Sequence, residues 1–201
     1  MDQAWLYALG HAQQQTGVSL HCATKVINHH HLDLTDNEEK RPEFLRLFHG
    51  ELSCALNTLL GRERYDQPGQ IFDDRPTHHM RLLDAEAQAA HLVYESVQCV
   101  AAGLVKRPED MPGFVFDFSL WKGLPIRVRR PEFYFDPRLR DEYVYLWFNP
   151  PARLYRKFNG DLDQLIYYMR RLQTEAIRAM NAARKWSVMG VAVSLTNLQL
   201  R

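Results

Sequence analysis

Residues 28–34 read Asn28-His29-His30-His31-Leu32-Asp33-Leu34, and this run constrains the fold more than any other. Residues 18–26 read as a strand. A short turn follows near Ile27-Asn28, and the histidine run reads as a second strand that ends at Thr35-Asp36-Asn37. Side chains alternate faces along a strand, so His29 and His31 point one way and His30 the other. Asp33 falls on the face of His29 and His31, where it is placed to accept a hydrogen bond that orients His31. Two imidazoles side by side are half of a divalent-metal site. Downstream, Tyr94 and Gln98 stand one helical turn apart on one face. A helix packed near the strand brings a phenol and an amide oxygen toward the same ion. The simpler reading is a hydrogen-bonded surface strand and a core tyrosine among Leu92, Val93 and Val97.

The rest of the chain punctuates cleanly. Trp5, Leu6, Leu9 and Ala12 make one face of a helix over 3–16, with Gly17 as its stop. A second helix runs from Arg41 to Leu60 on a stripe of Phe44, Leu45, Phe48, Leu52, Ala55, Leu56 and Leu59, with Pro42 in its first turn and Gly61 at its end. Residues 62–77 read as loop around Pro68-Gly69 and Asp73-Asp74, and 78–83 as a short strand. Asp84 is the expected N-cap of a third helix over 85–101 that carries Tyr94 and Gln98 and ends at Gly103. Pro108, Pro112 and Gly113 mark a linker. Short strands follow around Arg127-Val128-Arg129-Arg130 and Tyr143–Phe148, and a last helix runs from about Leu162 to Lys185.

Composition narrows the classes. No apolar run of about 18 residues is present, so no membrane span is expected. The N-terminus shows no secretory pattern. Three scattered cysteines, Cys22, Cys54 and Cys99, point to reduced thiols and a cytoplasmic setting. The net charge of +1 conceals an asymmetry: residues 1–100 carry 8 Lys/Arg against 14 Asp/Glu, and residues 101–201 carry 17 against 10. A polyanion is therefore drawn to the C-terminal half. Arg127, Arg129 and Arg130 lie close to Phe133, Tyr134 and Phe135, a mixture that single-strand binders use, although a charge-protected sheet edge reads the same way. Arg41 and Arg46 open the second helix as candidate phosphate contacts or as an ordinary solvated face. His49, His78 and His79 read as structural.

Two ordered blocks bring a family into view. Asn28-His29-His30-His31-Leu32 is similar to the N-H-x-H-L signature of the HUH endonucleases. Leu92-Val93-Tyr94-Glu95-Ser96-Val97-Gln98-Cys99-Val100-Ala101-Ala102-Gly103-Leu104-Val105, followed by Lys106-Arg107-Pro108-Glu109-Asp110-Met111-Pro112, resembles the tyrosine helix and basic ending of the IS200-like single-tyrosine transposases and their relatives associated with repetitive extragenic palindromes. The likeness covers about residues 4–115.

The resemblance implies an α+β fold: an antiparallel sheet with helices packed on one face (a ferredoxin-like HUH endonuclease core), the histidines on a central strand. The expected division is a core over 1–113, its first strand missing, and a strand, loop and basic helical extension with a long helix over 114–201. Tyr94 maps to the nucleophile, and His29, His31 and Gln98 map to the ligands of a divalent metal, Mg2+ or Mn2+. The implied activity is cleavage and rejoining of single-stranded or hairpin DNA through a 5′-phosphotyrosine, in transposition. A homodimer is among the assemblies this allows. Two other readings remain open: a domesticated hairpin-DNA binder that does not cut, and a metal-binding α+β protein unrelated to DNA.

Overall fold

The computed structural model describes residues 2–26, 29–62, 71–72 and 77–190. In chain order they form α1 (Asp2–Thr16), β1 (Ser19–Lys25), β2 (His30–Thr35), α2 (Arg41–Leu59), α3 (Ala85–Ser96), α4 (Gln98–Ala101), β3 (Ile126–Arg129), β4 (Tyr143–Leu146), α5 (Ala152–Lys157) and α6 (Leu162–Ala183). Single 3-10 turns occur at Pro108–Asp110 and Phe118–Lys122. This is an α+β architecture, with β1 pairing β2 and β3 pairing β4. The chain divides into two compact units, one from 1–19, 35–80 and 124–147, the other from 20–34, 81–123 and 148–201. Each draws segments from both sides of residue 113.

In the first unit, α1 packs on α2 through an edge contact between Trp5 and Phe48, ring centroids 6.0 Å apart. The β3–β4 pair is antiparallel, with Ile126 opposite Leu146 and Arg129 opposite Tyr143. Its inner face buries Val128 and Val144 against Ala4, Tyr7, Ala55 and Phe135. Gly10 lets α1 and β4 approach: a Cβ there would sit 2.9 Å from Val144 Cγ2. Gln13 then acts as a substitute strand neighbour. Its Nε2 donates to the Trp147 carbonyl at 2.8 Å, and its Oε1 accepts from the Trp147 N–H at 2.9 Å. Both backbone groups of a residue just past the strand end are thereby satisfied.

In the second unit, β1 and β2 form a hairpin in which the Val26 N–H donates to the His29 carbonyl at 2.9 Å. On its other side β1 meets Phe148 in an isolated parallel bridge at Leu20, with the Asn149 N–H donating to the Leu20 carbonyl. The Trp121 indole N–H donates to the His21 carbonyl at 2.9 Å, which ties the turn at Phe118–Lys122 to the same strand. An aromatic group of Phe114, Phe116, Phe118, Trp121 and Phe148 fills this region. Farther along, Val26, Cys99, Val100, Leu104 and Val105 form a cluster on which Ile177 and Met180 of α6 pack. The helix α6 buries Leu165, Ile166 and Met169 and leaves its basic residues outward.

The structure corrects the local expectations in four places. Residues 78–83 form no strand; they are mostly exposed, with no hydrogen-bonded neighbour strand among the described residues, and an isolated extended segment gains nothing from a ladder. The expected helix over 85–101 breaks at Val97 (φ −113°, ψ 13°) into α3 and α4. The Ser96 hydroxyl donates back to the Val93 carbonyl at 2.8 Å there, a local bond that competes with helix continuation. Ala152–Lys157 adds a short helix that periodicity did not reveal. Finally, β2 has one hydrogen-bonded neighbour among the described residues, so the histidine strand lies at an edge rather than in the centre. The expected turn at Ile27-Asn28, and the loop features Pro68-Gly69 and Asp73-Asp74, lie outside the described residues. No helix among the described residues is long and apolar enough to cross a membrane.

Candidate active site

The candidate residues His29, His31, Asp33, Tyr94 and Gln98 all belong to the second unit. The hairpin supplies the histidines. His29 lies just before β2 and His31 within it, and their rings stand edge-on with centroids 5.0 Å apart. The two-residue spacing on an extended segment produces this pairing. His31 is half-buried, and its Nε2 is buried without a hydrogen-bond partner among the described residues. Burial, followed by the neighbouring imidazoles of His29 and His91, holds the His31 ring below its ordinary range. A neutral imidazole with an open ring nitrogen is the form that binds metals.

The helix α3 supplies the other wall. Asp84 caps it, its carboxylate accepting from the Ala87 N–H at 2.7 Å. Tyr94 is half exposed, and its ring lies 6.4 Å from that of His31 and 6.0 Å from that of His91. The structure therefore brings Tyr94 and the histidine pair to one place. Gln98 is nearly buried in α4, beyond the break, and its amide turns back along the chain. Its Nε2 donates to the Tyr94 carbonyl at 3.4 Å.

Sequence reasoning missed two residues of this site. Asp33 does not orient His31: its Oδ2 lies 3.2 Å from His91 Nδ1. One helical turn on, Glu95 Oε1 lies 3.6 Å from the same nitrogen. Ligand atoms of Asp33, His91 and Glu95 all lie within 4.8 Å of one another, a group that could hold a metal ion. Glu95 is almost completely buried, and its Oε2 has no hydrogen-bond partner among the described residues. Burial and then the charge of Asp33 push its carboxyl up to about 9, with the Cys22 thiol donating a compensating hydrogen bond. The available signal was the His-x-x-x-Glu spacing of His91 and Glu95, which puts both on one face of the helix that carries Tyr94.

The candidate DNA-contacting arginines belong to the other unit. Arg41 and Arg46 are exposed at the start of α2. Arg127 lies over the Tyr143 ring, 4.5 Å from its centroid. Arg129 is shared between Glu132 at 3.2 Å and Glu142 at 3.6 Å, and Arg130 donates to the Arg140 carbonyl at 2.5 Å. All three are engaged within their own hairpin region. His49 packs on Phe72, ring centroids 4.7 Å apart, while His78 and His79 are exposed. Neither a family model, nor a curated protein, nor a solved structure matches the chain.

Proposed function

We propose that this protein is a metal-dependent single-stranded DNA endonuclease and strand transferase of the single-tyrosine HUH type, acting on hairpin ends in transposition. The supporting observation is the convergence of the His29–His31 ring pair with the exposed phenol of Tyr94. The proposal takes the β1–β2 hairpin and α3 as the remnant of a ferredoxin-like core, and a cytoplasmic setting.

The donor set fits a divalent cation in part. His29 and His31 offer adjacent imidazoles, and His31 Nε2 has no competing partner. Gln98 commits its amide nitrogen to the Tyr94 carbonyl at 3.4 Å, and its amide oxygen is the atom that would join them. His29 and His31 would hold Mg2+ or Mn2+ there, and the bound ion would supply charge withdrawal from the scissile phosphate. Tyr94 is the nucleophile: its phenolic oxygen bonds to phosphorus, and the P–O3′ bond breaks. The 3′ oxygen leaves with the electron pair and takes up a proton, so the strand ends in a 3′-hydroxyl and Tyr94 carries a 5′-phosphodiester. A 3′-hydroxyl attacking that ester reverses the step and rejoins the strands. The half-exposed setting of Tyr94 suits a nucleophile that must meet a large substrate.

The test is a denaturing gel of labelled hairpin DNA with Mn2+. Wild type should give a covalent band, and Tyr94→Phe should give none while retaining binding in a native gel. Cleavage surviving in Tyr94→Phe excludes Tyr94 as nucleophile. Binding without a band in wild type supports the reading as a hairpin binder that does not cut.

A further inference from the structure

We propose that Asp33, His91 and Glu95 form a second divalent-cation site, separate from the His29–His31 pair, that takes a borderline transition metal of the Zn2+ class. The geometry comes first. His91 Nδ1 lies 3.2 Å from Asp33 Oδ2 and 3.6 Å from Glu95 Oε1. Ligands about 2.1 Å from a tetrahedral ion stand about 3.4 Å apart, so these two edges bracket that value. All three donor atoms lie within 4.8 Å of one another, which leaves room for one ion among them.

The mounting is that of a built site. Asp33 comes from β2, and His91 and Glu95 come from successive turns of α3. Ligands four residues apart on a helix face one point, the spacing by which helical metal motifs work. One imidazole and two carboxylates form a mixed donor set that suits Zn2+, Co2+ or Mn2+ better than an all-oxygen set does. A bound cation would displace the proton of Glu95, and the two carboxylates would then balance the charge of a divalent ion.

An independent observation points to an occupant. Glu95 is only 2% exposed, and its Oε2 is a buried acceptor with no hydrogen-bond partner among the described residues. The Asp33–His91 contact and the Cys22 thiol account for the other atoms and leave Glu95 Oε2 without a hydrogen-bond partner among the described residues. Orphaned buried oxygens are rare, and an ion is among the ordinary causes. No ring nitrogen of His31 joins the group of Asp33, His91 and Glu95, and its Nε2 has no hydrogen-bond partner among the described residues.

The experiment is a Co2+ titration of the full chain stripped with a chelator, followed by visible absorption and reversed with Zn2+. No DNA is added, so the result stands apart from the nuclease reading. Wild type should develop d–d bands that Zn2+ abolishes. Glu95→Gln keeps the side-chain volume, and Glu95→Gln and His91→Gln should each weaken Co2+ binding at least about tenfold. His31→Ala should retain the bands. Bands unchanged in both Glu95→Gln and His91→Gln, bands lost in His31→Ala, or no bands in wild type would each overturn the proposal.

Discussion

At the scale of single residues, burial sets the protonation of His21. It sits in β1 with its Nδ1 2.7 Å from the Asn149 carbonyl, and burial lowers its pKa despite that contact and the charge of Asp33. His49 on α2 is lowered by burial alone. In both cases the unfolded chain takes up a proton first as pH falls below the ordinary imidazole value of 6.5. Folding stability therefore holds above that pH and is lost as pH falls toward the depressed folded values. Urea midpoints should fall between pH 7.5 and pH 5.5, and His21→Gln should flatten part of that fall; an unchanged pH slope in His21→Gln would remove His21 as a contributor. The same scale shows what the sequence made legible about the site. His29 and His31 could be paired because strand periodicity fixes where side chains point; Tyr94 was set beside them by the resemblance of its helix to the tyrosine helix of the HUH transposases. The partner of Asp33 could not be read, because the choice between His31 on its own strand and His91 on α3 depends on packing between elements.

At the scale of elements, caps were legible and breaks were not. Asp84 accepts the Ala87 N–H as its position before an apolar run predicts, and Asp84→Ala should cost about 1 kcal/mol in chemical denaturation. Gly61 and Gly103 take positive φ at helix ends, a conformation that suits glycine. Hydrophobic periodicity encodes neither the break at Val97, where the local Ser96-to-Val93 bond competes with the helix, nor the lack of a partner strand for 78–83 among the described residues. Gly10 separates the two kinds of information. By helix propensity, Gly10→Ala in mid-helix should add about 1 kcal/mol. The Cβ would meet Val144 Cγ2 at 2.9 Å, against a strand held by Gln13. The clash should win, giving net destabilisation of about 1–2 kcal/mol. Adding Val144→Ala should relieve part of the clash, so the double-mutant cycle should show favourable coupling. A stabilised Gly10→Ala single mutant would show that α1 and β4 separate freely.

At the scale of the whole molecule, the basic C-terminal half is less available than its count suggests. Lys122 pairs with Asp163 at 2.7 Å, Arg138 with Asp136 at 2.8 Å, Arg170 with Asp117 at 2.5 Å and Arg171 with Glu175 at 3.7 Å. Arg107 is held by Asp110 at 2.7 Å, and Arg129 by two glutamates. Exposed ion pairs of this kind contribute little to stability, but they lower the charge a phosphate backbone meets. Arg178 differs: it is exposed on α6 and makes no ion pair among the described residues. If hairpin DNA binds as proposed, each neutralised phosphate adds roughly 0.9 to the slope of log K against log salt. Arg178→Ala should lower that slope by about 1 and weaken binding evenly across sequences. Arg127→Ala should change the slope far less, because its guanidinium lies over Tyr143. Fluorescence anisotropy of a labelled hairpin over a salt series measures both. Equal slopes for wild type and Arg178→Ala, with a drop in Arg127→Ala, would move the DNA path from the basic helix α6 to the β3–β4 hairpin.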